Sequence, residues 1–169
     1  MNLIVSVALE ERFMLWHLKA FSKLTSLEVY KIIKLRIDVF VVEQNCPYAD
    51  LDDKDIDNNA LHLFATDEEN IACYLRILPP DSGYPEMPTF GRVVTAQKYR
   101  GAGIGHQLVK RANKTIDELW PGLITHISAQ AHLQAFYERH QFVVVGETYL
   151  EDDIPHIGME RVIREPANK

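Results

Sequence analysis

The chain has 169 residues and 19.4 kDa, a length that fits one domain able to bury roughly 70% of its unfolded surface without a metal or disulfide staple. Hydrophobic residues make up 47% and charged residues 25%, which excludes a disordered chain, and no apolar run approaches the ~18 residues of a membrane span. The net charge of −6 excludes bulk attraction to nucleic acid or to an anionic membrane surface.

Residues 1–13 read as an N-terminal extension. Leu3–Leu9 has no Lys or Arg before it and is followed by Glu10-Glu11, so it does not read as a signal segment, and the protein is expected in the cytoplasm. Phe13–Phe21 predicts a first strand. Thr25-Ser-Leu-Glu28 is a capping box opening a helix to about Phe40, with Leu27, Tyr30, Ile33 or Lys34, and Ile37 as its apolar stripe. Asp50–Asn59 is an acidic, turn-rich segment expected to be a solvated loop. It fails as an EF-hand, because Asn58 and Phe64 stand where Gly and Glu are required.

Ala60–Thr66 and Ile71–Leu78 predict a hairpin across Asp67–Asn70, and Thr89–Thr95 a further strand after a proline-rich loop. Gly103–Trp120 carries a helical stripe of Ile104, Leu108, Ala112, Ile116 and Leu119, stopped by Pro121-Gly122. Strand, short helix and two closing strands follow over Ile124–Ala129, His132–His140, Phe142–Tyr149 and Ile157–Ile163. This order predicts a single α/β (α+β) domain over 14–163 with a mixed, mostly antiparallel sheet, and a tail at 164–169.

The chemistry concentrates at Phe90–Gly105, where a strand feeds a glycine loop that opens a helix. Glycines let a ligand approach main-chain N–H groups. The first helical turn offers unpaired N–H groups and partial positive charge. Arg100 adds a cation at the entrance, and together these features make a pyrophosphate cradle. A Walker loop is absent, and His106 breaks the dinucleotide fingerprint G-x-G-x-x-G. What survives is Arg100-x-x-Gly103-x-Gly105.

That pattern resembles the acyl-CoA loop of the GNAT N-acetyltransferase superfamily. Gln130–Phe142 is similar to the family's following motif, with Gln130 at its usual Asn position and Gln141 at its Gly. Arg36–Tyr48 and Asp152–Met159 look like the ElaA-type branch. The resemblance implies the GNAT acyl-CoA N-acyltransferase fold, with acetyl-CoA as co-substrate, no metal, and acetyl transfer to an amine by direct attack. It implies that Val93, Val94 and Thr95 pair with the pantetheine arm, that Arg100, Gly101, Ala102, Gly103, Ile104 and Gly105 hold the pyrophosphate, and that Gln130 contacts the cofactor. Tyr137 takes the general acid's position.

Glu43 is the expected base or amine-binding carboxylate, with Arg36, His62 and His156 as further acceptor-side candidates. The seven histidines show no zinc-ligand spacing. Cys46 and Cys73 are too few for a disulfide framework and read as packing residues. The acceptor is a small-molecule or peptide amine, and the oligomeric state is open, a homodimer included. A non-catalytic acyl-CoA sensor on the same fold is the alternative reading. A loop for another nucleotide and an acyl-homoserine-lactone synthase are more distant ones.

Overall fold

The computed structural model describes residues 14–68 and 70–162. The N-terminal extension, the C-terminal tail and Glu69 of the predicted hairpin connection lie outside the described residues. Among the described residues, seven strands and three α-helices run in the order β1 (Leu15–Ala20), α1 (Ser26–Arg36), β2 (Leu61–Asp67), β3 (Asn70–Leu78), β4 (Thr89–Thr95), α2 (Ile104–Leu119), β5 (Thr125–Gln130), α3 (Gln134–Glu138), β6 (Val143–Glu151) and β7 (Ile154–Arg161).

The expected mixed sheet resolves into two antiparallel ladders, β1-β2-β3-β4 and β5-β7-β6. Both faces of the larger sheet are covered, and the period-2 alternation of a strand sorts its side chains between them. Leu63, Ala65, Cys73, Leu75 and Ile77 pack with Leu108, Val109, Ala112 and Ile116 of α2. Phe64, Tyr74 and Val94 pack with Ile32, Leu35 and Val39 on the opposite face. Burial on both faces explains why β2 and β3 read as nearly continuous apolar runs.

The capping box forms as predicted. Glu28 N–H donates to Thr25 Oγ1 (3.2 Å), and Thr25 N–H donates to Glu28 Oε2 (2.8 Å). The stripe expected on α1 does not hold: Leu27, Tyr30 and Ile37 are exposed, and the buried side chains are Ile32, Leu35 and Arg36. On α2 the stripe is buried except for Leu119, which is 49% exposed at the last turn. After Arg36 the chain widens into a π-helical turn, Ile37–Glu43, which brings Glu43 to Arg100 and Gln44 to Gln130. Such turns inside helices recur at functional sites.

The acidic loop is not solvated throughout: Asp53, Lys54, Asn58 and Asn59 are exposed, but two of its carboxylates turn inward. Asp50 and Asp55 are 5% and 8% exposed, and they meet arginines from three separate elements. Arg36, 1% exposed, donates through Nε to Asp50 Oδ2 (2.7 Å), through NH1 to Asp55 Oδ1 (2.7 Å), and through NH2 to the Asp50 carbonyl (2.9 Å). Arg76 NH1 reaches Asp52 Oδ1 (2.6 Å) and Asp55 Oδ1 (2.9 Å), and Arg92 pairs with Asp50 and Asp52. Three cations and three carboxylates neutralise one another, so Asp50, Asp52 and Asp55 form a structural brace.

This brace sets an acid sensitivity. Burial alone would raise Asp52, but the hydrogen bonds from Arg76 and the charges of Arg76 and Arg92 overcome it and bring its carboxyl to about 2. A carboxyl depressed in the folded state contributes stability that is complete above its ordinary value and is lost as pH falls toward about 2. Burial holds the His62 imidazole below its ordinary 6.5, so below that pH the unfolded chain takes up a proton the folded chain refuses. The unfolding midpoint is expected to fall in two stages on acidification, one below about pH 6.5 and one below about pH 4. His62→Gln should flatten the first stage in thermal melts; an unchanged slope between those values would remove His62 from the account.

Candidate active site

The site lies where the two ladders meet. His126 N–H, at the start of β5, donates to the Pro88 carbonyl just before β4 (3.2 Å). Beyond that bond the strands part around a cleft of about 410 Å³, with Gly91, Arg92 and Val93 on one wall and Ile127, Ser128, Ala129 and Gln130 on the other. Two strands tied at their starts and open beyond are a parallel pair that has been splayed.

A bulge in β4 opens the cleft further. Tyr74 pairs with Val94 and Arg76 with Gly91, so Arg92 and Val93 together stand opposite Leu75. Arg92 takes φ +56°, a left-handed conformation that costs a non-glycine residue roughly 1–2 kcal/mol. Its guanidinium secures the distortion by gripping the Asp50 carbonyl (3.0 Å) and Asp52 Oδ2 (3.3 Å), and it lies over the Tyr48 ring at 5.6 Å. The bulge, the brace and the cleft wall are one unit.

At the far end of β4 the chain enters the glycine loop. Gly101 and Gly103 take φ +81° and +77°, and a Cβ on either would meet no protein atom within 4 Å. The first backbone bond into α2 is Gln107 N–H to the Gly103 carbonyl (3.2 Å), so the N–H groups of Ile104, Gly105 and His106 precede any intrahelical acceptor. A space that side chains could fill but do not, faced by unpaired donors, fits an anionic phosphate group. Arg100 anchors the loop by donating from Nε to the Thr95 carbonyl (3.1 Å).

The Arg100 fork is already engaged, at 2.7 and 3.0 Å from the two oxygens of Glu43. The hydrogen bond from Arg100 lowers the Glu43 carboxyl against slight desolvation, which makes it a poorer proton acceptor than a free carboxylate. Glu43 therefore joins the π-helical turn to the glycine loop instead of standing free as a base.

Two other expectations are corrected by burial. Arg36 is sealed into the brace and lines no part of the cleft. His62, 2% exposed, bonds through Nε2 to the Asp55 carbonyl (3.0 Å) and through Nδ1 to the Tyr74 hydroxyl (2.9 Å), away from the cleft. Both line a separate, smaller cavity of about 170 Å³ between α1 and the acidic loop, and neither lines the cleft between β4 and β5.

Val93, Gln130, Tyr137 and His156 do line the same cleft. Val94 turns instead into the core beneath α1. Gln130 Nε2 donates to Gln44 Oε1 (3.2 Å) across the cleft mouth. Tyr137, on α3, is 5% exposed; burial holds its phenol above the ordinary range, and among the described residues its hydroxyl has no hydrogen-bond partner. The α3 helix closes on Gln141 at φ +69°, the left-handed position that the family motif fills with glycine.

Sequence reasoning missed Arg92, Ser128, Tyr149 and Glu151. Ser128 Oγ donates to Glu151 Oε2 (3.0 Å) and bonds the Tyr149 hydroxyl. The period-2 alternation of β5 was the available signal for Ser128, since it shares a face with Gln130. Nothing local marks Arg92. Among the described residues no group of three His, Cys, Asp or Glu side chains is placed to hold a metal, and no helix is long and apolar enough to cross a membrane.

Comparison with known proteins places this architecture among relatives. Residues 35–163 match the family model described as an acetyltransferase (GNAT) domain. The chain is 40% identical to protein ElaA of Escherichia coli over 142 residues, which is 84% of this chain and 92% of that protein. Its structure is similar to an acyl-CoA N-acyltransferase from Pseudomonas aeruginosa, with TM-score 0.84 and 45% identity over 89% of this chain and 100% of the other. It is also similar to the crystal structure of Escherichia coli ElaA, with TM-score 0.83 and 38% identity over 88% and 99% of the two chains.

Proposed function

The chain belongs to the GNAT acetyltransferase family, in its ElaA-type branch, and from that premise we propose that it moves an acetyl group from acetyl-CoA to an amine by direct attack in a ternary complex. The family's general chemistry is acyl transfer from acyl-CoA. The observation that carries the finer reading is the splayed pair β4 and β5, with a bulge in one wall and a left-handed glycine loop at its end.

In this reading the pantetheine arm lies along Val93–Thr95 and replaces the ladder partner that β4 lacks on that side. The pyrophosphate sits on the N–H groups between Gly101 and Gly105, with Gln130 across the cleft. A backbone N–H of the bulged strand receives the oxyanion as the amine nitrogen adds to the thioester carbon. The C–S bond then breaks, and the Tyr137 hydroxyl donates its proton to the departing thiolate. Cys46 lines the cleft, but its thiol donates to the Asp152 carbonyl at 3.6 Å, and among the described residues no hydrogen bond joins it to a basic side chain, which favours direct attack over an acetyl-enzyme.

The test is thiol release from acetyl-CoA, and from longer acyl-CoAs in parallel, with spermidine, lysine, glucosamine and a short peptide with a free N-terminus. Turnover with acetyl-CoA and an amine is the expected result. CoA binding without turnover would favour the sensor reading, and an acetyl-enzyme trapped by rapid quench would overturn direct attack. Gly103→Ala tests the cradle separately. The left-handed φ costs alanine roughly 1–2 kcal/mol, so the loop shifts and the CoA dissociation constant should rise about tenfold by calorimetry. An affinity within about twofold of wild type would mean the phosphates bind elsewhere.

A further inference from the structure

One face of the β5-β7-β6 sheet points into the acceptor half of the cleft. His156 on β7 stands directly opposite Gln130 of β5 and Tyr149 of β6. Ser128, Gln130, Glu151, Ile154 and His156 line the same space as Val93 and Tyr137. The Asp152-Asp153 turn, with φ +50° and +61°, is the two-residue hairpin geometry that fixes this register.

The imidazole of His156 has a defined proton arrangement. Its Nδ1 lies 2.8 Å from the Ile154 carbonyl, and a carbonyl can only accept, so Nδ1 carries the hydrogen. The lone pair of the neutral ring is then on Nε2, which has no partner among the described residues. A tautomer fixed by a backbone acceptor on one nitrogen, with the other left bare, is how proteins prepare an imidazole to take a proton. The Tyr149 ring lies nearly parallel to it, 26° apart with centroids at 6.2 Å, and limits its rotation.

Apart from Tyr137, which serves as the acid in this reading, the other titratable groups that line the cleft include several with partners of their own. Asp52 pairs with both Arg76 and Arg92, and Tyr48 donates to Asp50 Oδ1 (2.6 Å). Burial, followed by the charges of Tyr149 and Glu151, pushes the Tyr84 phenol up to about 12. Cys46 is turned to the Asp152 carbonyl. Glu151, at the end of β6, accepts from Ser128 Oγ (3.0 Å), and Asp152 follows it in the hairpin turn.

We propose that His156 is the general base of the transfer, taking through Nε2 the proton of a primary ammonium drawn in by Glu151. The assignment rests on the acetyl-transfer reading above. Of the two protons the nitrogen loses, the first passes to His156 and then to solvent. The second balances the proton that the thiolate receives, so the products are the amide, CoA thiol and one released proton.

The decisive measurement is kcat/KM against pH for wild type and His156→Gln, using the best acceptor among spermidine, lysine, glucosamine and the short peptide. Wild type should level off between neutrality and the pKa of the amine. The variant should fall about 10²-fold near pH 7 and rise about tenfold per pH unit toward the amine's pKa, because only free amine then reacts. His156→Ala should regain turnover with added imidazole. Thermal midpoint and CoA affinity of both variants show whether the fold and cofactor site are intact. A variant profile parallel to wild type, or no rescue in a folded variant, overturns the assignment of His156 alone. Absence of wild-type turnover with every amine overturns it together with the acetyl-transfer reading.

Discussion

Tyr137→Phe is expected to lower kcat by about 10²–10⁴-fold while leaving CoA affinity and the thermal midpoint close to wild type. The reason is the environment of the hydroxyl. Burial holds the phenol in its protonated form at every working pH, and among the described residues nothing accepts from it or donates to it. Removing the oxygen leaves no buried partner unsatisfied, so the fold loses little. The ring still packs against Phe90 and Phe142. Only a thiolate at the end of the pantetheine arm would register the change. A variant within about threefold of wild-type kcat would show that Tyr137 is a core aromatic and that the thiolate leaves protonated by solvent.

Arg36→Met should lower the unfolding midpoint by roughly 6–20 °C. Methionine keeps most of the side-chain volume but strands the carboxylates of Asp50 and Asp55 in a dry interior. Removing one partner of a buried ion pair typically costs about 3–5 kcal/mol, and each kcal/mol moves the midpoint of a chain this size by about 2–4 °C. The deficit should narrow in acid, as wild type protonates the lowered Asp55 carboxyl and loses that pair as well. A fall of less than about 2 °C at neutral pH would mean that Arg76 and Arg92 compensate fully. Arg36→Lys should lie between the two, since an ammonium cannot reproduce the fork that spans Asp50 and Asp55.

Much of the scaffold was readable because its signals are local. The Thr25 and Glu28 cap, the α2 stripe from Ile104 to Ile116, and the strands of the first sheet each depend on residues a few positions apart. Glycines in the left-handed region at 101 and 103 announced the loop in the same way. The stripe on α1 failed because one of its buried positions is an arginine. A buried cation is intelligible only with its carboxylates, and those lie 14 and 19 positions away in a loop. The same non-local pairing made the acidic segment look solvated. The bulge at Arg92 was invisible for a different reason: its left-handed backbone is held by tertiary contacts where sequence rules expect glycine. Of the acceptor-side candidates, His156 reached the cleft and His62 did not, although both are strand histidines. Only strand order tells which face of which sheet each one occupies.

The grip of Arg92 on Asp50 and Asp52 also bears on attempts to make the protein hardier. Buried ionic clusters can often be exchanged for well-packed apolar side chains with no loss of stability, or with a gain. In this chain that exchange would release the one arginine that keeps β4 bent, and the strand would be free to relax into a regular ladder against β3. The cleft wall would straighten as the melting point rose. A variant in which the whole brace is replaced by packed apolar side chains should therefore emerge sturdy but catalytically slow, whereas selection for turnover should leave Asp50, Asp52 and Arg92 untouched.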